Sequence, residues 1–282
     1  MRSYHSAHDH KLFIANMWKH LLMSLIISKT VVQLLFLILI VAVYGIMMYL
    51  AKKGKTWKVR RIPGIDAIEE SIGRATELNR PVAFFPGEGK LHDARSGDTV
   101  AAVVILGWVT KLAARLGAPI YVHTTLEESV PLLQDVCQNA YTLEGKEDKY
   151  DPVYTVRFTG AGNAGYLYGA TLFQTEKIAV NLMFGDLGLE SLTMAEEGNR
   201  VGAVGIAGST RISNVCFLAA AMDYTILSDE LFAAAAYITY DPVEISVVTT
   251  SDIIKMAALI LGLVGPVLYA VGINLDKIFY PS

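Results

Sequence analysis

Two long apolar stretches stand near the two ends of the chain. Val31–Ala51 and Met256–Ile273 contain 21 and 18 residues, none of them charged. A helix of about 20 apolar residues is long enough to cross a hydrocarbon core of about 30 Å. The pattern therefore predicts transmembrane helices at 31–51 and 256–273, and Pro266 is expected to kink the second one.

Between these stretches, short apolar runs alternate with segments of helical periodicity. The apolar runs predict six strands, at Val82–Phe85, Ile120–His123, Tyr154–Phe158, Ala179–Phe184, Ala203–Ala207 and Tyr224–Leu227. Strands that are apolar throughout and are separated by helices are typical of parallel sheets covered on both faces. The pattern predicts an α/β fold over 62–250. We expect a Rossmann-like, mostly parallel six-stranded sheet with helices on both faces, flanked by the two transmembrane helices.

A basic linker, 52–61, follows the first apolar stretch. Six of its residues are lysine or arginine: Lys52, Lys53, Lys55, Lys58, Arg60 and Arg61. Positively charged loops beside a membrane helix remain in the cytoplasm, and such charges attract anionic headgroups. We therefore expect a two-pass protein of the cytoplasmic (inner) membrane, with its basic residues at the membrane surface. The α/β domain would lie in the cytoplasm, and both chain ends, including the short tail 274–282, would lie on the far side.

The N-terminal segment, 1–30, precedes the first predicted membrane helix. Lys19 and His20 interrupt its apolar stretch next to Trp18, which favours a helix in the membrane interface or one docked on a partner subunit. The segment also holds three neighbouring histidines, His5, His8 and His10. Imidazoles at this spacing can bind a metal, but histidines at a chain terminus usually bind nothing, so no metal site is predicted.

Composition and charge narrow the function classes. The chain is 53% hydrophobic and 18% charged, whereas soluble domains average about 25% charged residues. Its formal net charge is −3, and no basic face interleaved with aromatic residues is present, which argues against nucleic acid as a partner. Cys137 and Cys216 stand apart in apolar helical patterns. They fit buried thiols in a reducing compartment better than a metal pair or a disulfide framework.

Two long blocks of the sequence resemble a known family. They are "IPGIDAIEESIGRATELNRPV" at Ile62–Val82 and "NLMFGDLGLESLTMAEEGNRVGAVGIAGSTRISNVCFLAAAMDYTILSDELFAAAAYITYDPV" at Asn181–Val243. Both are similar to an uncharacterised prokaryotic family of membrane-anchored α/β proteins, which is known only as a domain of unknown function. The resemblance covers most of 62–243 and the flanking helices. It implies an architecture, and it implies no established activity or catalytic residue.

A glycine motif follows the third predicted strand. Gly160-x-Gly162-x-x-Gly165 has the spacing that holds a dinucleotide pyrophosphate at a helix N-terminus, and Asp186 follows Gly165 by 21 residues, where a ribose-binding acid is expected. Two observations favour a structural turn instead. The fingerprint usually follows the first strand of its fold, and glycine is common at strand-to-helix turns. We therefore predict no cofactor and keep a nucleotide as the alternative.

Other polar side chains also follow predicted strands and so share the carboxyl edge of the sheet. Ser209, Thr210 and Arg211 could bind an anion, although capping of the next helix by a hydroxyl is the simpler interpretation. Glu88 could act as a base or metal ligand, or it could be a solvated loop carboxylate. His123 could be a general base, or it could be an ordinary hydrogen-bonded side chain.

No complete catalytic motif is present. The chain has no Gly-x4-Gly-Lys-[Ser/Thr], Gly-x-Ser-x-Gly, His-Glu-x-x-His or Cys-x-x-Cys, so no catalytic residue is predicted. Ala219–Ala221 and Ala233–Ala236 permit close helix contacts, within the core or between subunits. We expect a non-catalytic scaffold or accessory subunit of a homo- or hetero-oligomeric membrane complex, whose partners are the lipid bilayer, its own copies or other subunits. The alternative is a nucleotide- or anion-binding sensor or enzyme that uses Gly160–Gly165 and Asp186.

Overall fold

The computed structural model describes residues 30–55, 57, 61–239 and 241–270. The chain divides into two compact units, Lys58–Ile245 and a second unit formed by Met1–Trp57 together with Ser246–Ser282. The predictions for His5, His8 and His10, and for Lys58 and Arg60, lie outside the described residues.

Helices and strands alternate along most of the chain. In order they are α1 (Thr30–Lys52), α2 (Pro63–Glu77), β1 (Val82–Gly87), α3 (Ser96–Leu116), β2 (Ile120–Thr124), α4 (Val130–Leu143), α5 (Pro152–Thr155), β3 (Val156–Phe158), α6 (Gly162–Thr175), β4 (Val180–Asp186), α7 (Ser191–Arg200), β5 (Val204–Ser209), α8 (Ile212–Ala221), β6 (Tyr224–Leu227), α9 (Glu230–Thr239) and α10 (Pro242–Ala270). Two 3₁₀ turns, Glu127–Ser129 and Glu147–Lys149, flank α4.

The six strands form one sheet in the order β3-β2-β1-β4-β5-β6, and every neighbouring pair is parallel. This is the strand order of a Rossmann-like fold, so the predicted fold class is confirmed. The central strand, β1, pairs with β2 on one side and with β4 on the other, because the chain returns to the middle of the sheet after β3. The switch point of the sheet therefore lies between β1 and β4.

Both faces of the sheet are covered by apolar side chains, as the apolar strands predicted. Neighbouring residues of β1 point to opposite faces: Phe84 joins a core with α2, α3, α4 and α9, whereas Phe85 joins a second core with α6, α7 and α8. All six residues of β1 are buried. This double burial explains why no alternation of polar and apolar residues appears in the strand sequences.

Some boundaries differ from the predicted ones for local reasons. The third strand begins at Val156 and not at Tyr154, because Asp151 caps a single helical turn. Its side chain accepts hydrogen bonds from the backbone N–H groups of Val153 and Tyr154 at 2.9 and 3.1 Å. Cys137 is buried as expected, but the prediction for Cys216 was wrong, since this residue lies on an exposed face of α8.

In the described part of the chain, three helices are long and apolar enough to span a membrane: Gln33–Lys52, Ser96–Leu116 and Pro242–Pro266. The second of these helices is α3, which packs against the sheet. More than half of its apolar stretch is buried inside the domain. The other two belong to α1 and α10 and are almost entirely unburied. α10 starts at Pro242, well before the predicted start at Met256, because Ser246–Lys255 continues the helix with polar residues interspersed.

Candidate functional site

β1 and β4 are joined by backbone hydrogen bonds up to their carboxyl ends, at the switch point of the sheet. Gly87 is paired with Asp186, and the N–H group of Glu88 donates to the carbonyl oxygen of Asp186 at 2.8 Å. Gly87 has a φ of +82°, and a Cβ atom there would lie 2.6 Å from the Asp186 carbonyl oxygen. Glycine thus permits the close approach of the two strand ends, and the crevice that binds ligands in such sheets lies just beyond them.

Asp186 is the centre of an ion-pair network at this switch point. It ends β4, and it is only 3% exposed. Its carboxylate accepts hydrogen bonds from Arg211 Nη2 at 2.6 Å and from Arg95 Nη1 at 3.0 Å, while Arg211 Nε also contacts it. Burial alone would lower the pKa of Arg211, but the hydrogen bond and charge of Asp186 raise it overall. Two guanidinium groups are therefore directed at one buried carboxylate.

Glu88 adds a second carboxylate to the same network. Its Oε1 atom lies 3.4 Å from Arg211 Nη1, and its Oε2 atom accepts a hydrogen bond from the Tyr166 hydroxyl at 3.0 Å. The Tyr166 side chain is buried, and this burial, together with the nearby Glu88 charge, raises the pKa of its hydroxyl well above the usual range. Tyr166 therefore stays protonated and acts as a donor. Glu88 is therefore a partly exposed carboxylate that Arg211 and Tyr166 bind within the domain.

The side chains of Thr210 and Ser209 form hydrogen bonds with other groups of the same domain. Thr210 Oγ1 donates to the buried Asp98 carboxylate, and Ser209 Oγ accepts from the N–H groups of Leu187 at 3.4 Å and Arg211 at 3.3 Å. Burial raises the pKa of Asp98, although the bond from Thr210 opposes this shift. The expected capping role is not seen, because α8 begins after Arg211 without a side-chain cap.

The glycine motif lies elsewhere on the sheet. It follows β3, an edge strand, and α6 begins at its second glycine, Gly162. Gly160 and Gly162 have φ angles of +103° and +61°, and a Cβ atom on Gly165 would overlap the Gly160 carbonyl oxygen. β2 and β1 stand between β3 and β4 in the sheet, so the motif and Asp186 follow strands that are not neighbours. Tyr166, which directly follows the motif, nevertheless reaches the network at Asp186 through its hydrogen bond to Glu88.

His123 lies inside the core and not at the sheet edge. Its ring stacks on Phe85 with 5.2 Å between centroids, and its Nε2 atom lies 3.2 Å from the sulfur of Met194. Burial lowers the pKa of His123 to about 4. The imidazole is therefore neutral near pH 7 and is buried among apolar side chains, away from the Asp186 network.

Three members of the network were missed from the sequence: Arg95, Asp98 and Tyr166. Arg95 and Asp98 stand at the start of α3, the helix that follows β1. A helix after the central strand always begins at the switch point, so this position was a usable signal. Tyr166 could not be found in this way, because its helix follows the edge strand and only tertiary packing directs its hydroxyl to Glu88.

Within the described part of the chain, no group of three or more His, Cys, Asp or Glu side chains is placed to hold a metal ion. No curated protein and no solved structure matches the chain. One family model does match, that of DUF6754, a domain of unknown function, and it covers residues 22–279. This range includes both quoted blocks and the flanking apolar helices, so the resemblance to an uncharacterised family is confirmed. The chain belongs to the DUF6754 family.

Proposed function

We propose that this protein is a non-catalytic scaffold or accessory subunit of an oligomeric membrane complex. Its Rossmann-like domain would be the part that is presented to partners. The observation that carries this proposal is the double pairing of Asp186 with Arg211 and Arg95 at the switch point. In sheets of this topology, that point is where a ligand or substrate usually binds.

The side chains of the domain itself already use the groups that a ligand would need there. Both arginines donate to Asp186, and Arg211 also lies against Glu88. An incoming phosphate would have to displace a buried carboxylate from two charge-assisted hydrogen bonds. It would also face the charges of Asp186, Glu88 and, nearby, Asp98, that is, three carboxylates against two guanidinium groups. This balance disfavours an anionic substrate and favours a structural role for the network.

Anchoring in the inner membrane is part of the proposal. α1 and α10 contain apolar stretches that are almost entirely unburied, as expected for helices that contact lipid. The basic residues of 52–61 follow α1 directly, which favours a cytoplasmic position for the Rossmann-like domain. We therefore propose a two-pass protein with this domain in the cytoplasm.

Native mass spectrometry of the full chain, gently extracted from its own membrane, tests the scaffold. We expect a homo-oligomer or a hetero-complex without a small-molecule adduct. A strictly monomeric particle after mild extraction would contradict the proposal. Collision-induced release of subunits from the same ions would distinguish copies of this chain from other proteins.

A second candidate function is a nucleotide- or anion-binding sensor. It is supported by the Arg211 side chain, which remains 27% exposed despite its pairing, and by the helix start at Gly162. Isothermal titration of the full chain with common nucleotides tests it, with the double variant Gly162→Val/Asp186→Ala as the control. Binding to the wild-type chain would support a sensor, and binding that survives the double variant would place its site elsewhere. Absence of binding would leave the scaffold as the better proposal.

A further inference from the structure

The outer side of α8 is apolar and exposed. The helix sequence, "ISNVCFLAAA", contains no charged residue. Val215 and Leu218 are buried against the sheet, whereas Ile212 is 62% and Phe217 is 57% exposed. Large apolar side chains that are exposed together in this way usually mark an interaction surface.

This side of α8 lies at the end of the domain. On its face of the sheet, α7 packs against both α6 and α8, and α8 closes the row over β5 and β6. β6 is an edge strand that pairs with β5 alone in the described structure. Its residues Tyr224 and Leu227 are 40% and 47% exposed. We define the α8–β6 edge by Ile212, Phe217 and Leu227 on the side of α8, and by Tyr224 on the opposite face of the same edge strand.

The size of the α8–β6 edge matches the apolar part of a dimer interface. Four large side chains that are about half exposed present on the order of 400 Å², at roughly 200 Å² for a whole side chain. A standard interface buries about 800 Å² per partner. About 56–58% of that area is non-polar, which is roughly 450 Å². The small and polar residues around the four side chains would supply the remainder.

We propose that the α8–β6 edge pairs with the same edge of a second copy of this chain, about a two-fold axis. This rests on the proposed function and names the contact through which the scaffold assembles. In a two-fold contact the same surface faces itself, and a helix without charged residues can do so without like-charge repulsion. Two copies of β6 can also satisfy each other's free backbone groups in an antiparallel pair.

A lipid surface is the competing occupant, and the edge strand argues against it. The outer N–H and C=O groups of β6 would be left without hydrogen-bond partners in hydrocarbon, and each such group costs several kcal/mol there. The exposed Asp223 carboxylate directly precedes the strand and would also have to enter the bilayer interface. A second β6 strand satisfies the backbone and leaves Asp223 at a solvated rim.

Cys216 provides a native probe of this contact, because it lies on the exposed side of α8 beside Phe217. The other cysteine, Cys137, is buried, and this burial raises the pKa of its thiol to about 12. The full chain in lipid nanodiscs is treated with a short bismaleimide, which cross-links neighbouring thiols. The mass of the complex is also measured by native mass spectrometry. We expect covalent dimers that depend on Cys216 and that disappear in Cys216→Ala.

Charged substitutions at the edge then test its role. Phe217→Asp and, independently, Ile212→Lys should reduce the dimer fraction at least tenfold. Leu167→Asp, on an exposed position of α6, is the matched control and should leave it unchanged. If both edge variants keep the mass of the wild-type complex, and Cys216 of the wild-type chain forms no cross-link, the α8–β6 contact is wrong but the scaffold proposal stands. A monomeric wild-type chain would overturn both, and labelling of Cys216 only by a lipid-soluble maleimide would assign the edge to lipid.

Discussion

Arg211 Nη2 donates to Asp186 Oδ2 at 2.6 Å, and through this bond the turn after β5 is held against the end of β4. Arg95, 91 residues before Asp186 in the chain, donates to the other oxygen of the same carboxylate. One buried side chain therefore joins the connections that leave β1, β4 and β5. These three connections would form the ligand crevice in an open sheet of this topology, and here they are tied together instead.

Replacement of Asp186 by asparagine should destabilise the domain strongly. Asparagine keeps the shape but removes the charge that offsets two guanidinium groups, and loss of one partner of a buried ion pair costs about 3–5 kcal/mol. Because Arg211 is partly exposed, we expect a loss of about 2–4 kcal/mol. This corresponds to a decrease in Tm of roughly 4–16 °C for a domain of this size, at about 2–4 °C per kcal/mol. Thermal unfolding of the solubilised chain, followed by circular dichroism, measures it.

Asp66→Asn is the matched control for this experiment. Asp66 also pairs with an arginine, Arg61, at 2.8 Å, but that pair is much more exposed. Exposed pairs contribute about 0–1 kcal/mol, so the Tm of this variant should stay within a few degrees of wild type. Equal decreases in Tm for Asp186→Asn and Asp66→Asn would show that the Asp186 network contributes no more to stability than an exposed ion pair.

The buried His123 should make the domain less stable as the pH falls. In the unfolded chain its pKa is about 6.5, whereas burial lowers the folded pKa of His123 to about 4. Between these values the unfolded state binds a proton that the folded state does not, so stability falls with decreasing pH. The loss from this group is about 1.4 kcal/mol per pH unit, or about 2–3 kcal/mol between pH 7 and 4.5.

The variant His123→Gln should lack this part of the pH dependence, because glutamine is neutral throughout the range. Comparison of Tm against pH for the variant and the wild type isolates the His123 contribution from that of the carboxylates. His92→Gln is the control, since it removes an exposed histidine and leaves His123 in place. Parallel curves for wild type and His123→Gln would contradict the buried, neutral state of His123.

Much of the fold followed from sequence patterns, and the particular exceptions have physical causes. The strands were found because burial on both faces makes them apolar throughout, as in Val82–Gly87. The start of β3 was misplaced because the Asp151 cap forms a helical turn in an otherwise strand-like segment. Strand order could not be derived, since a helical crossover of similar length can lead to either side of the sheet.

The candidate site was only partly visible in the sequence for a related reason. The predicted ends of the strands correctly placed Glu88, Asp186 and Arg211 at the carboxyl edge of the sheet. Their positions along the chain, however, do not show which of these side chains pair with one another. The link between the glycine motif and Asp186 relied on sequence distance alone. In the sheet the two follow strands that are not neighbours, because the chain returns to the centre of the sheet between them.

The glycine motif should matter for packing even without a ligand. In Gly165→Ala, the new Cβ atom would overlap the Gly160 carbonyl oxygen and lie 2.8 Å from Thr125 Cγ2. Relief of such crowding typically costs about 1–3 kcal/mol. Gly73→Ala in α2 is the opposite case, because nothing lies within 4 Å of its added Cβ atom. Alanine there should stabilise the helix by about 0.5–1 kcal/mol. Urea unfolding of both variants measures whether the free energy of unfolding falls in Gly165→Ala and rises in Gly73→Ala. An unchanged free energy of unfolding in Gly165→Ala would contradict the close approach of Gly165 to Gly160.

Membrane topology can be tested with one cysteine in the loop after α4. Asp148 lies in an exposed 3₁₀ turn, and Asp148→Cys in a Cys216→Ala background leaves Cys137 as the only other thiol. Cys137 should not react, since it is buried and its pKa is raised to about 12. If the basic residues of 52–61 keep the domain in the cytoplasm, a membrane-impermeant maleimide should label the Asp148→Cys variant only after permeabilisation. Ser3→Cys in the same background should be labelled on intact cells, because the proposed two-pass arrangement would place both chain ends outside. Labelling of the Asp148→Cys variant on intact cells would reverse the proposed orientation, and labelling of neither variant on intact cells would contradict the two-pass arrangement.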